Sequence, residues 1–313
     1  MDNLNVVVAL ITRDNDYQAE QAASAAEAAS RHGVNVHILY ADNDAVNQTQ
    51  QLVKVIQDAA HRPHAILVEP VGTEMVQVAN AANAAGIGWG ILNREPDYIG
   101  ALRNAGHAPA FAVTVDQEEA GRIQGRQLAA LVSEGNVLSL EGPSGSSVAR
   151  LRSKGMQATK PAGAEIKILK GDWTEQSAHQ AVKSWLALST SRQLHVKAVV
   201  CQNDAMAMGA RKALMDLTEK DRERWMNTPF TGCDGLAKTG QEWVRRGMLR
   251  ATIITRPTAG VAIDIFVKGV RSGSTPPERT MLDPVSFPAL HELSKASAPP
   301  PRAPARVRAS DGA

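Results

Sequence analysis

Short apolar runs alternate with helix-forming segments along most of this chain, and this alternation is the feature that most constrains its fold. Val6 to Ile11 is a continuous β-branched and apolar run, as expected for a strand covered on both faces. The segment from Tyr17 to His32 is rich in good helix formers and is followed by Gly33, a residue type that often ends helices. The same unit recurs around the strands HAILVEP and IGWGILN. Strands separated by helices predict right-handed βαβ crossovers and a parallel sheet, so the fold class is α/β.

The alternation resumes in the second half of the chain, where NVLSLEG, EIKILK, VKAVVCQ, PFTGCD and RATIIT are predicted strands. A length of 313 residues also fits roughly two domains of about 150 residues each. We therefore expect two successive doubly wound, Rossmann-like parallel-sheet domains. The stretch EPDYIGALRNAGHAPA, with two prolines and two glycines, is predicted to be a surface connection.

Composition limits the partners and the location of the protein. Its 34 basic and 32 acidic side chains leave a net charge of +2, which is too balanced to indicate a nucleic-acid or membrane surface. No apolar run approaches the roughly 18 residues of a membrane helix, and the first residues, MDNLNVVVALIT, lack the basic segment and cleavage site of a signal peptide. As written, the sequence predicts a cytoplasmic protein without membrane insertion. Residues 295–313, rich in proline, alanine and arginine, predict a disordered tail.

Polar residues gather at the carboxyl ends of the predicted strands, where open parallel sheets bind their ligands. Tyr17 and Trp173 add two flat apolar faces to this set. Amides, carboxylates and guanidinium groups around aromatic planes suit a polyhydroxylated ligand, because each hydroxyl both donates and accepts hydrogen bonds. Asn and Asp at strand ends are also common helix N-caps. For the pair Asn203–Asp204, we expect Asp204 to cap the next helix and Asn203 to contact a ligand.

Five motifs resemble the type I periplasmic sugar-binding proteins, most closely the ribose-binding group. They are VCQNDAMAMGA, TGCDG, LNRE, GPSGSSVARLRSKG and RATIIT, in the family's order and at its spacing. The resemblance extends from Asn5 to near Leu290. It implies a periplasmic-binding-protein-like type I fold that closes on a small sugar or polyol, as the substrate-binding component of an ABC-type sugar transporter. It further implies that the two lobes are joined by a hinge of three crossings, with residues 1–115 and 256–284 in an N-terminal lobe and residues 116–255 and 285–294 in a C-terminal lobe. In the family, the closed form is read by an ABC permease or a signalling receptor. We also expect a monomer without enzymatic activity, cofactor or metal.

The resemblance further implies a set of ligand-binding residues, in which Trp173 stacks on the sugar ring while Asn203 and Asp234 hydrogen-bond hydroxyl groups. The candidates are Asn15, Tyr17, Asn93, Arg94, Arg150, Trp173, Asn203, Asp234 and Thr255.

Four positions depart from the ribose-binding group. Asn93 stands where that group has an aspartate, Thr255 where it has an amide, and Gln18 and Cys233 where it has aromatic residues. The pocket is therefore expected to lose one charge and two stacking faces. An altered pentose, a hexose or a polyol fits these departures as well as ribose does.

Other functions remain open at this level. One alternative is a cytoplasmic ligand sensor, in which the same two lobes close on a ligand without a transport role. Another is a processed form of an exported protein, which would act in the periplasm. An enzyme would use Asp234 or Asp116 as a general base on a sugar, although neither has a partner at recognisable spacing. No helix-turn-helix precedes the two lobes, so we expect no nucleic-acid binding. GIGWG lacks the dinucleotide-binding spacing, and GPSGSS lacks the lysine of a phosphate-binding loop.

Overall fold

The structure is a computed structural model that describes residues 4–72, 75–192, 194–219, 222, 225 and 227–296. Its strands are β1 (Asn5–Leu10), β2 (Asn35–Tyr40), β3 (Ala65–Val68), β4 (Gly88–Leu92), β5 (Ala110–Val115), β6 (Glu134–Glu141), β7 (Gly163–Lys170), β8 (Val196–Cys201), β9 (Phe230–Thr231), β10 (Thr252–Ile254), β11 (Arg279–Leu282) and β12 (Val285–Phe287). Its α-helices are α1 (Asp16–His32), α2 (Ala45–Gln57), α3 (Val76–Ala84), α4 (Ile99–Ala105), α5 (Gln117–Leu131), α6 (Ser147–Thr159), α7 (Glu175–Leu186), α8 (Ser189–Arg192), α9 (Asp204–Met215), α10 (Gly240–Arg245), α11 (Ala259–Ser272) and α12 (Leu290–Ala296).

The first sheet is a parallel, doubly wound sheet with the strand order β11-β5-β4-β3-β1-β2. Two apolar clusters cover its two faces. Val6, Val8 and Leu10 of β1 pack against α1 and α11, whereas Val7 and Ala9 lie on the face covered by α2, α3 and α4. Because both faces are buried, the strands are continuous apolar runs rather than alternating ones.

The second sheet has the parallel order β7-β6-β8-β9, and β10 and β12 form a separate antiparallel pair. The chain passes between the two lobes after β5, between β10 and α11, and between β11 and β12. The expectation of an α/β fold with two parallel-sheet domains is therefore confirmed. The exact residue limits assigned to the lobes remain predictions.

Local signals explain where α1 begins and ends. The side chain of Asn15 accepts a hydrogen bond from the backbone N–H of Tyr17 at 2.8 Å, and Gly33 follows the helix with a left-handed φ of 64°. An asparagine cap and a left-handed glycine are standard ends of a helix. The sequence therefore positions the amino end of α1, and with it Asn15 and Tyr17, at the edge of the sheet.

Two expectations from the sequence are wrong in detail. The predicted surface connection EPDYIGALRNAGHAPA contains α4, because Ile99 and Leu102 lie three residues apart and are both buried against the first sheet. Helix α12 runs to residue 296, so residues 295 and 296 are helical rather than part of a tail. The rest of the predicted tail, residues 297–313, lies outside the described residues. In the part of the chain that the structure describes, no helix is long and apolar enough to cross a membrane.

Candidate functional site in the cleft

A cavity lies between the lobes, where strands of both sheets end. Most of the candidates chosen from the sequence line it, and they come from both halves of the chain. These lining candidates are Asn15, Tyr17, Asn93, Arg94, Trp173, Asn203 and Asp234. Arg150 and Thr255 do not line it.

The backbone carbonyl of Trp173 joins the two lobes. It accepts a hydrogen bond from the side-chain Nδ2 of Asn15 at 2.9 Å, and a second one from Nδ2 of Asn203, also at 2.9 Å. The Oδ1 atoms of the two asparagines cap α1 and α9. Trp173 itself has a left-handed φ of 74°, which is unusual for a bulky residue. Both asparagines thus perform two tasks, one in capping a helix and one in fixing the Trp173 peptide.

The roles expected for Asn203 and Asp204 are partly reversed. Asn203 is the N-cap of α9, with extended backbone angles, and accepts a hydrogen bond from Met206 N at 2.9 Å. Asp204 is the first helical residue, and its buried carboxylate accepts hydrogen bonds from Gly235 N at 2.8 Å and from Thr252 Oγ1 at 2.7 Å. The expectation that Asp204 caps the helix is therefore wrong. Its carboxylate instead holds the turn that carries Asp234.

The indole ring of Trp173 lies over the backbone of Gly142, and a methyl group added at Gly142 would overlap the ring. The guanidinium carbon of Arg152 is 5.9 Å from the centre of the same ring, within the range of a cation–π contact. Gly142, the first residue of the loop GPSGSS, must be a glycine because the Trp173 ring approaches its backbone closely. The loop thus provides room for an aromatic wall of the cavity.

Arg152 is the arginine that α6 contributes to this cavity, whereas Arg150 lines a neighbouring pocket with Arg94 and Ser146. Its side chain is only 4% exposed and donates a hydrogen bond from Nε to Oε1 of Gln117 at 2.9 Å, and another from Nη1 to the carbonyl of Gln202. Arg150 is exposed. Residues two apart point to different sides of a helix, so only one of them can face the cavity. Arg152 thus occupies the place in this cavity that the sequence analysis gave to Arg150, and a ligand contact of Arg150 remains a prediction.

Arg94 and Tyr17 close the cavity on the side of the first lobe. Arg94 donates a hydrogen bond from Nη1 to Oγ of Ser146 at 2.6 Å, which links β4 to the start of α6 across the cleft. Burial lowers the pKa of the Arg94 guanidinium below its ordinary value. The hydroxyl of Tyr17 donates to the carbonyl of Arg256 at 3.2 Å, and burial raises the pKa of this phenol, which keeps it neutral.

Asp234 lies in the hinge turn with a left-handed φ of 113°. Its N–H donates to the carbonyl of Ile253 at 2.9 Å, and its own carbonyl accepts from Thr255 N at 3.1 Å. Burial raises the pKa of the Asp234 carboxyl well above its usual range, although the nearby Arg152 acts in the opposite direction. Thr255 is 1% exposed and contacts Asp234 through the backbone, so its side chain does not reach the cavity.

Glu69 is a cavity residue that was not among the candidates. It follows β3, is 2% exposed, and its Oε1 accepts a hydrogen bond from Nδ2 of Asn93 at 3.0 Å. The signal in the sequence was its position at a strand end, next to a proline. The first lobe therefore presents the carboxylate of Glu69 to the cavity beside the uncharged Asn93.

Cys201 and Cys233 are both buried and form no disulfide. Cys201 packs in the core of the second lobe, and Cys233 packs with Ala120, Ile123 and Ile253. Burial raises the pKa of the Cys233 thiol to about 12, so it remains protonated. Neither thiol lines the cavity. Across the described ranges, no group of three or more His, Cys, Asp and Glu side chains is placed to hold a metal ion.

The arrangement of a polar cavity between two parallel-sheet lobes agrees with comparison to known families. Residues 6–266 match the family described as the periplasmic binding protein domain. The chain belongs to this family. The resemblance found in the sequence motifs is thereby confirmed.

Members of the family with similar sequences include import proteins. The D-apiose import binding protein of Paraburkholderia graminis is 27% identical, over 88% of this chain and 85% of its own length. The ribose import binding protein of Escherichia coli is 27% identical, over 87% of this chain and 83% of its own. Among solved structures, the solute-binding protein of Actinobacillus succinogenes with bound D-allose superposes with a TM-score of 0.77, at 21% identity, over 94% of this chain and 100% of that one.

Proposed function

We propose that this protein binds a small sugar or sugar-like polyol in the cleft, as the substrate-binding component of an ABC-type importer. The observation that carries this proposal is the composition of the cavity. Amide, guanidinium and carboxylate groups from both lobes line it together with the indole of Trp173. Such a set can satisfy a ligand in which every hydroxyl needs a donor and an acceptor, while the ring covers its C–H face. The import relatives named above support the same ligand class.

Hinge closure is the mechanism that fits the contacts across the cleft. Asn15 reaches Trp173 and Arg94 reaches Ser146 only when the lobes are together. A ligand that contacts residues of both lobes binds the closed form more tightly than the open one, so it shifts the population toward closure. In this proposal the closed shape is the signal that a permease reads.

The proposal is tested by calorimetry with D-ribose, D-apiose, D-allose, xylitol and myo-inositol, followed by chromatography of each ligand after incubation. We expect stoichiometric binding of at least one compound and its recovery unchanged. Absence of binding across the whole set contradicts the proposal, and formation of a product replaces it with an enzymatic role.

A further inference from the structure

Asn43 lies in the loop after β2 and lines the rim of the cavity, although it was not among the candidates chosen from the sequence. Its side chain is exposed. It also lines a neighbouring pocket of about 230 Å³, which shares Ile11, Arg94 and Trp173 with the cavity. Asn43 therefore lies at the junction between the inner cavity and the space next to it in the cleft.

The size of the inner cavity shows that a ligand reaches this junction. Its volume is about 40 Å³. A buried water needs at least about 10–15 Å³ by this measure, so the cavity has room for roughly three waters. A sugar ring is larger than three waters. It therefore also occupies the junction, where its outward-facing groups lie close to Asn43.

The other amide side chains of the cavity are already committed to bonds within the protein. Each of them accepts one hydrogen bond from a described residue and donates another, which fixes its orientation; they are Asn15, Gln18, Asn93 and Asn203. The side chain of Asn43, by contrast, forms no hydrogen bond with any described residue. Its carboxamide is free to turn toward a hydroxyl group and can both donate to it and accept from it.

The backbone that carries this free side chain is held in place. Asn43 N donates to the carbonyl of Ile11 at 2.9 Å, and Asp44 caps α2 by accepting from Val46 N at 2.7 Å. Asp42 and Asn43 both have left-handed φ angles, of 53° and 61°. Glycine adopts this conformation at the least cost, and asparagine and aspartate are the side chains that tolerate it best. Position 43 thus retains a side chain where glycine would suit the backbone.

We propose that Asn43 is a ligand-binding residue whose carboxamide hydrogen-bonds one hydroxyl group on the outward side of the ligand, at the junction of the cavity and the neighbouring pocket. This inference rests on the proposed function. The bond adds the loop after β2 to the segments that contact the ligand. It also favours ligands that carry a hydroxyl at this point over ligands that lack it, because the fixed backbone keeps the amide within reach of one place only.

The first test compares wild type, Asn43→Gly and the control Asp42→Gly by calorimetry with D-ribose, D-apiose, D-allose, xylitol and myo-inositol. Both replacements suit the left-handed backbone, but Asp42 is exposed and lines neither the cavity nor the neighbouring pocket. For the compound that wild type binds most tightly, we expect about three- to tenfold weaker binding in Asn43→Gly, the usual effect of losing one neutral hydrogen bond. Asp42→Gly should keep wild-type affinity. Equal losses in both variants would assign the effect to the loop conformation and overturn the inference.

The second test uses the monodeoxy analogues of that compound, each of which lacks one hydroxyl. The analogue without the hydroxyl that Asn43 contacts should bind wild type and Asn43→Gly equally, because the bond is absent in both complexes. The same ratio of affinities for the parent compound and for every analogue would contradict a direct bond.

Failure of the inference can be told apart from failure of the proposed function. If wild type binds none of the five compounds, the proposed function fails and this inference fails with it. If wild type binds one of them and Asn43→Gly binds it with the same affinity, only the inference is overturned.

Discussion

Asn15 Nδ2 lies 2.9 Å from the backbone oxygen of Trp173, across the cleft and 158 positions away in the sequence. The same oxygen accepts from Asn203 within the second lobe. Two chemically identical donors therefore meet one acceptor, but only the bond from Asn15 depends on closure. Substitution of Asn15 is therefore expected to affect hinge closure, whereas the matching substitution of Asn203 is not.

Asn15→Asp is expected to favour the open form. The aspartate keeps the oxygen that caps α1, but it replaces the donor with a carboxylate oxygen facing the Trp173 carbonyl. Losing the hydrogen bond to Trp173 and leaving two oxygens facing each other destabilises the closed form by about 1–3 kcal/mol. We therefore expect roughly tenfold weaker ligand binding. Small-angle scattering with and without ligand measures the closed fraction. In Asn203→Asp, the ligand-free scattering should match wild type, and an equal shift in both variants would contradict this assignment.

Gly142→Ala is expected to impair binding by displacing the Trp173 ring. The added methyl group overlaps the ring, whereas at Gly145 nothing lies within 4 Å of the same group. Overpacking of this kind typically costs about 1–3 kcal/mol. We expect weaker binding and a changed tryptophan emission spectrum for Gly142→Ala, with Gly145→Ala unchanged in both. Normal affinity in Gly142→Ala would place the ring outside the ligand site.

Arg152→Ala and Arg150→Ala distinguish the structural assignment from the sequence-based one. Arg152 is buried between Gln117 and the carbonyl of Gln202, so its removal leaves buried acceptors without a donor. We expect ligand affinity to fall by about two orders of magnitude for Arg152→Ala, with a lower melting temperature. Arg150→Ala should retain wild-type affinity because this side chain is exposed. The reverse ranking in calorimetry would restore Arg150 to the site.

Asp204 gives the stability of the protein a defined pH dependence. Burial raises the pKa of its carboxyl from 3.8 to about 7, so the native state holds this proton between about pH 4 and pH 7 while the unfolded chain releases it. The native state binds more protons in this window, and the free energy of unfolding should therefore fall as pH rises through it. The raised pKa of Asp234 acts in the same direction.

Asp204→Asn tests this linkage. The asparagine oxygen can accept from Gly235 N as the aspartate does, and the asparagine NH2 can donate to Thr252 Oγ1 in place of the bond that Asp204 accepts. The asparagine side chain does not ionise. Urea denaturation at intervals from pH 4.5 to pH 8 should show a smaller loss of stability with rising pH than in wild type. The exposed Asp42→Asn variant should follow the wild-type curve. An unchanged slope in Asp204→Asn would assign the pH dependence to other groups.

The order of strands and helices was predictable because it depends on local patterns. Apolar runs such as Val6 to Ile11, the cap at Asn15 and the terminating Gly33 act over a few residues and are visible in the sequence. Helix α4 was missed because its proline and glycine neighbours resemble a loop, and only its packing against the first sheet stabilises so short a helix.

The candidate site was only partly predictable, because it depends on contacts between segments that are distant in the sequence. The sequence by itself determined which strand ends carry polar groups, and therefore that Asn93, Trp173 and Asp234 belong to a cleft. Tertiary structure decided which of Arg150 and Arg152 faces that cleft, since the close approach of α5 and α6 at Gly121 fixes the rotation of the helix. It also decided that the carboxylate of the first lobe comes from Glu69, because the amides that hold it lie on α1 and directly after β4 and meet only when the sheet is assembled.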